Sequence, residues 1–201
     1  MKVILASNNQ NKLREMKAIL SPLGWEILRM SDIGIAVDPE ENGETFEENS
    51  KIKAVAVMEA SGLPAIADDS GVEVDALGGD PGVHSARYGG ELCPDDKARN
   101  MHLLKNMEHV PDGERTGRFV SVITMAMPDG RVFSARGTLE GEILREEKGA
   151  GGFGYDPLFY IPTEDLTMAE ITLERKNQIS HRAVALQNFV EIIKKNEVTL
   201  C

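Results

Sequence analysis

The sequence predicts a mixed α/β fold, a single domain over residues 1–201 in which a β-sheet is flanked by helices. Strand and helix patterns alternate through the first half, two β-rich runs meet at a hairpin signal in the second, and no linker, repeat or low-complexity stretch separates them. Val3–Ala6 reads as the first strand, and Leu13, Met16, Ile19 and Leu20 then recur at helical spacing until Pro22 and Gly24. Thr45-Phe46-Glu47-Glu48 has the form of a capping box and opens a helix through Ile52, Val55 and Ala56 to Gly62. Leu63–Ile66 leads directly into a strand that ends at Asp68. Beyond a Gly- and Pro-rich stretch, a helix from about Pro94 to Met107 starts with Asp95 and Asp96, acids that suit the positive end of a helix dipole. Arg118–Met127 and Arg131–Thr138 are rich in β-branched and aromatic residues and flank Pro128-Asp129-Gly130, a hairpin turn. Thr167-Met168-Ala169-Glu170 is a second capping-box pattern, and Ser180 reads as the cap of a last helix carrying Ala183, Leu186, Phe189, Val190 and Ile193.

Composition narrows the function. The formal net charge is −11, which argues against a nucleic-acid surface, because that needs clustered excess Lys and Arg. A small anionic substrate remains compatible if its charge is met locally by a few cations. The apolar start Val3–Ala6 is too brief for a signal-peptide core or a membrane span, so a cytoplasmic protein without membrane contact is expected. Cys93 and Cys201 lack metal-ligand spacing and read as free thiols.

Five segments carry chemistry. Asp68 and Asp69 stand behind an apolar run, where open α/β sheets place ligands, and side-chain alternation sends them to opposite sides. Metal-assisted attack on phosphate is one reading of Asp68-Asp69-Ser70-Gly71, and a strand-closing turn is the other. Ser7, Asn8, Asn9, Gln10, Asn11 and Lys12 lie between the first strand and helix, where backbone N–H groups favour an anion, unless the asparagines simply cap the helix. No Gly-x-x-x-x-Gly-Lys-Ser/Thr string occurs, which excludes an ordinary P-loop. Gly149–Gly154 matches Gly-x-Gly-x-x-Gly but follows charged residues instead of a strand, and Pro157 stands where a dinucleotide fold needs a helix. That loop instead offers Phe153 and Tyr155 as flat surfaces and Asp156 as an acceptor, a set suited to a purine. Lys176, Ser180, His181 and Arg182 gather at the start of the last helix, where cations are unfavourable unless an electron-rich ligand meets them. Glu40, Glu41, Glu44, Glu47 and Glu48 form an acidic patch from which one member can join Asp69 on a metal ion.

Six strings in this order resemble the inosine triphosphate pyrophosphatase family, also called dITP/XTP diphosphatases. They are Ser7–Lys12 with Glu15, Glu44–Asn49 with Lys53, Ala67–Gly71, Pro81–Val83 with Ser85–Tyr88, Gly152–Pro157, and Ser180–Arg182. The resemblance spans nearly the whole chain and implies an elongated mixed sheet, two lobes with a central active-site cleft, and a homodimer. It further implies Mg²⁺-dependent hydrolysis of ITP, dITP and XTP to the monophosphate and pyrophosphate. Carried over position by position, it makes Asp69 the general base and a metal ligand and Glu40 the second metal carboxylate. Ser7–Lys12, Ser70 and Lys53 fall where the family handles phosphates and sugar. Phe153, Gly154, Tyr155, Asp156, Lys176, His181 and Arg182 fall where it grips the base.

Overall fold

The computed structural model describes residues 1–21 and 24–196, so the Pro22 helix stop and the Cys201 thiol lie outside the described residues. A seven-stranded sheet has the order β2-β1-β3-β4-β5-β6-β7. Two compact units share its strands: Met1–Asp69 with Ser121–Gly137 and His181–Cys201, and Ser70–Val120 with Thr138–Ser180.

In the first unit β1 (Lys2–Leu5) runs parallel to β2 (Glu26–Arg29) and to β3 (Ala65–Val74). Alternation along these strands builds two cores. Val3, Leu5 and Ile66 join Leu13 and Met16 of α1 (Gln10–Leu20) and Leu186 and Phe189 of α5 (His181–Lys195). Ile4, Ala65 and Ala67 join Ala54 and Val57 of α2 (Phe46–Ser61) on the other face. Each fully buried Leu, Ile or Phe in such a core contributes about 1.5–3 kcal/mol. The ends of α2 follow the sequence expectation: Thr45 and Glu48 close a reciprocal capping box, and Gly62 takes the left-handed conformation at φ 66°. Gly137, near the end of the first unit's part of β5 (Val132–Ile143), presses on α5 so closely that a Cβ would collide with His181 and Ala185 backbone.

The second unit packs Leu103 of α3 (Asp96–Asn106) and Met107, the residue that follows the helix, against Val72, Val74, Phe119, Ile143, Leu158 and Phe159. Phe119 belongs to β4 (Thr116–Ala126), and Phe159 to β6 (Phe159–Ile161), which pairs antiparallel with β5 and with β7 (Leu166–Thr167). Helix α4 (Leu173–Ile179) completes the unit.

The elements depart from expectation in three places. Strand β3 does not end at Asp68 but runs on to Val74; Gly71 packs so tightly against Ser85 and the Gly82 carbonyl that any side chain there would clash, so its glycine serves close approach instead of a turn. The short β2 escaped the pattern because it carries a charged residue at each end. Thr167–Glu170 forms half of a capping box, with Glu170 accepting the Thr167 N–H at 2.8 Å, yet the helix starts at Leu173 and is capped by Thr172. Ser180 stands in extended conformation immediately before α5, at the position expected for that helix's cap, and also closes α4, its N–H bonded to Lys176 O.

Candidate active site

Asp68 and Asp69 project to opposite faces of β3, and the two faces supply different partners. On the α1 and α5 side, the Asp68 carboxylate lies 3.0 Å from Lys12 Nζ and 2.9 Å from Arg182, and accepts the Ser121 hydroxyl at 2.6 Å. Arg182 also pairs with Glu15, so Lys12, Glu15, Asp68 and Arg182 form a quartet of two cations and two anions, buried except for the partly exposed Lys12. Burial alone would raise the Asp68 carboxyl, but Arg182, Lys12 and Ser121 together hold it far below the usual carboxylate range. Burial also draws the Lys12 ammonium down, against the pull of Asp68.

On the α2 side, Asp69 Oδ1 lies 2.6 Å from Lys53 Nζ, and the same ammonium is 2.8 Å from Glu41 Oε2. The other oxygen, Asp69 Oδ2, is buried with no hydrogen-bond partner among the described residues. Burial therefore pushes the Asp69 carboxyl up to about 6; Lys53 and Lys12 oppose the shift and Glu41 adds to it. Lys53 feels the reverse balance, since burial is outweighed by Asp69 and Glu41 and its pKa rises. Its position is set one turn earlier in α2, where the Ser50 hydroxyl donates to Val122 O at 3.0 Å and Ala67 O at 3.4 Å and pins the helix to the sheet.

The acidic patch divides by use. Glu48 accepts the Glu44 and Thr45 N–H groups, Glu47 pairs with Arg136, and Glu40 is exposed; Glu41 alone of the five meets Lys53. Ser7 and Asn9 behave as local caps, with Ser7 Oγ accepting the Asn9 N–H and Asn9 Oδ1 accepting those of Asn11 and Lys12. Asn8 and Gln10 are exposed beside them, and Ser70, half-buried, follows Asp69 on β3.

In the second unit, Asp156 Oδ2 accepts the Phe153 N–H at 3.0 Å and Lys176 Nζ at 2.7 Å, while Lys176 sits 4.8 Å from the Phe153 ring centroid. Aromatic face, ammonium and carboxylate thus form one rigid group, with Asp156 and Lys176 both buried. Tyr155 does not present a flat surface: it is buried in the core and donates to Ser85 O at 2.9 Å. Arg182 likewise is no open donor, since its guanidinium is fully buried between Asp68 and Glu15. His181 is buried at the first turn of α5.

Sequence reasoning gave no role to Ser121, Ser50 or Glu15. A serine inside the apolar run Phe119–Ile123 was the signal for the first, and the i, i+3 spacing of Lys12 and Glu15 on one helix face was the signal for the last.

Comparison with known proteins fits these two clusters into one lineage. The chain is 51% identical over 194 residues to a dITP/XTP pyrophosphatase of Thermus thermophilus, covering 96% of this chain and 92% of that one. It is 49% identical to the protein of the same name from Desulforamulus reducens, over 97% and 96% of the two chains. Among solved structures, the Ham1 protein of Staphylococcus aureus superposes with a TM-score of 0.87 at 40% identity, over 98% of this chain and 100% of that one. A HAM1 protein from Coxiella burnetii gives 0.88 at 39%, over 97% and 99%. The Ham1 family model matches residues 3–192, and the chain belongs to the Ham1 family.

Proposed function

We propose that this protein hydrolyses non-standard purine nucleoside triphosphates, ITP, dITP and XTP, to the monophosphate and pyrophosphate. The observation that carries this reading is the near-full-length likeness to relatives named dITP/XTP pyrophosphatase. It is supported by a buried carboxylate, Asp69, with one unpartnered oxygen and a pKa near 6.

Asp69 is the general base. A carboxylate poised near the working pH is both ionised enough to accept a proton and basic enough to want it. It takes the proton of the water that attacks the α-phosphorus; the bond from that phosphorus to the bridging oxygen breaks, and pyrophosphate leaves with the electron pair. Mg²⁺ fits the donor set, because Asp69 Oδ2 lacks a partner and Glu41 converges with Asp69 on one ammonium; the ion is commonly held by one or two carboxylates with phosphates and water. Asp69 and Glu41, in place of the exposed Glu40, would hold it, and when bound it supplies charge neutralisation on the triphosphate and acidifies water. Lys53 is the ammonium that meets the phosphates, with Ser7, Ser70 and the Asn8–Asn11 turn contributing polar contacts. Lys12 and Arg182 act through Asp68 as positioning residues.

Phe153, Lys176 and Asp156 carry base selection. Hypoxanthine and xanthine present a C6 carbonyl and an N1–H where adenine has an amino group and a bare nitrogen, so a donor aimed at O6 and an acceptor at N1 leave groups unpaired against ATP. Sites built on such pairs reject the wrong partner by roughly 10⁴ or more. His181 is assigned to the same task. No helix among the described residues is long and apolar enough to cross a membrane; a cytoplasmic homodimer is part of this proposal, to be checked by fractionation and sedimentation. The function itself is tested by measuring pyrophosphate and orthophosphate from ITP, XTP, dITP, GTP, ATP and UTP with and without Mg²⁺. Pyrophosphate from ITP and XTP is the expected product, and orthophosphate as the first product would overturn it.

A further inference from the structure

Helix α3 holds the glycine loop of the second unit from both sides of a single residue. Asp96 Oδ2 accepts the Gly154 N–H at 2.7 Å, and Asn100 Nδ2 donates to the Gly154 carbonyl at 3.2 Å. The same amide nitrogen donates to Glu147 Oε1 at 2.7 Å, so Asn100 ties together the beginning and the end of the loop. Asn100 is buried, although the helix turn before it, Asp96–Arg99, carries mostly charged side chains. Gly154 itself sits at φ 62°, a conformation with no side-chain cost only for glycine. The neighbouring glycines are equally committed: a Cβ at Gly152 would strike the Asp156 carboxylate, and one at Gly149 or Gly151 would press on Ala169. Both peptide groups of the residue following Phe153 are therefore fixed by α3, while Asp156 fixes the Phe153 N–H.

Resting on the reading that Phe153, Asp156 and Lys176 select the base, we propose that Asp96 and Asn100 are positioning residues for nucleobase specificity, acting through Gly154. An aromatic ring discriminates between bases only if its plane is held in register with the hydrogen-bonding groups beside it, and misplacement by about 1 Å costs on the order of 10²-fold. The backbone of Gly154 is the hinge by which the ring of Phe153 would swing away from Lys176 and Asp156. Two hydrogen bonds from one helix close that hinge. Because the triphosphate is handled by other residues, loosening the loop raises KM and levels the substrates without removing the chemistry.

The test compares Asp96→Ala, Asp96→Asn, Asn100→Ala and Asn100→Asp with Asp95→Ala, which removes the side-chain cap of α3 at Ala98 N but touches no loop residue. Asn100→Asp keeps the size of the side chain while losing both donors, so it reports on the clamp if the alanine variant fails to fold. Steady-state kcat and KM are measured for ITP and ATP, with melting temperature alongside. Asp96→Ala, Asn100→Ala and Asn100→Asp are expected to raise KM for ITP about tenfold, leave kcat within about twofold and narrow the ITP-to-ATP ratio of kcat/KM about tenfold. Asp96→Asn, which keeps an acceptor oxygen, restores most of the loss, and Asp95→Ala lowers the melting temperature without moving the ratio. An unchanged ratio in the Asn100 variants, or an equal change in Asp95→Ala, overturns the inference while wild-type pyrophosphate release from ITP leaves the functional reading intact. A wild-type protein that does not release pyrophosphate from ITP overturns both.

Discussion

The two faces of β3 treat neighbouring, chemically identical side chains in opposite ways. Asp68 meets two cations and a hydroxyl; Asp69 shares one ammonium with Glu41 and leaves an oxygen without a hydrogen-bond partner among the described residues. Both carboxylates are buried, so desolvation does not distinguish them. What differs is the set of partners: Arg182, Lys12 and the Ser121 hydroxyl outweigh burial at Asp68 and hold its pKa down, whereas at Asp69 the lysines do not outweigh burial and the neighbouring Glu41 anion, and its pKa goes up to about 6. Period-two alternation allows a single strand to carry a permanent anion and a titratable one at consecutive positions.

The comparison breaks most clearly at Asp69. Asp69→Asn is expected to cut kcat by about 10³-fold, within the range for a lost general base, while far-UV circular dichroism stays that of wild type and the melting temperature does not fall. Near-normal turnover in a folded variant would remove Asp69 from the mechanism. Asp68→Asn should do the opposite, leaving Arg182 and Lys12 short of an anion and lowering unfolding stability by about 3–5 kcal/mol. Urea denaturation measures it, and a loss confined to activity would mean that the quartet is not a stability element.

Smaller effects sharpen the metal and pH assignments. Glu41→Gln is expected to raise the Mg²⁺ concentration for half-maximal rate about tenfold, with Glu40→Gln changing it less than about twofold; the reverse order would return the metal to Glu40. In the metal-free protein Asp69 is protonated below and ionised above about pH 6. Its folded pKa exceeds the ordinary value of 3.8, so stability falls as pH rises between the two, and the Asp69→Asn protein should gain on wild type across that window. Asp68 runs the other way: its depressed pKa contributes stability above the ordinary carboxylate range that is lost on acidification. Denaturation curves from about pH 4 to about pH 7 separate the two, and parallel curves for wild type and Asp69→Asn would contradict the raised pKa.

Much of this architecture was legible beforehand, for local reasons. The capping box at Thr45, the acidic start of α3 at Asp95 and Asp96, the left-handed Gly62 and the Pro128–Gly130 turn are determined by a few adjacent residues, and the structure has them where the pattern does. Asp-Asp-Ser-Gly read as a possible turn because the reason for Gly71, the backbone at Gly82 and the side chain of Ser85, lies more than ten residues away. The site shows the same division. Alternation told that Asp68 and Asp69 part company, but the identity of their partners depends on Lys12, Lys53, Ser121 and Arg182, which tertiary packing alone brings near.

The quartet has a consequence for the order in which this protein acquires competence. Glu15 and Arg182 are separated by 167 positions, and Asp68 and Arg182 by 114. A ribosome that has delivered α1 and β3 has therefore exposed Glu15, Lys12 and Asp68 to water with half of their charge partners still unmade. Closing loops of that length is the slow part of a folding reaction, since contacts distant in sequence repay their entropy only when made. Nascent chains should thus carry Asp68 without its full set of partners until α5 docks, and activity should appear late and together with global stability, not with the early formation of α2 and its self-contained caps.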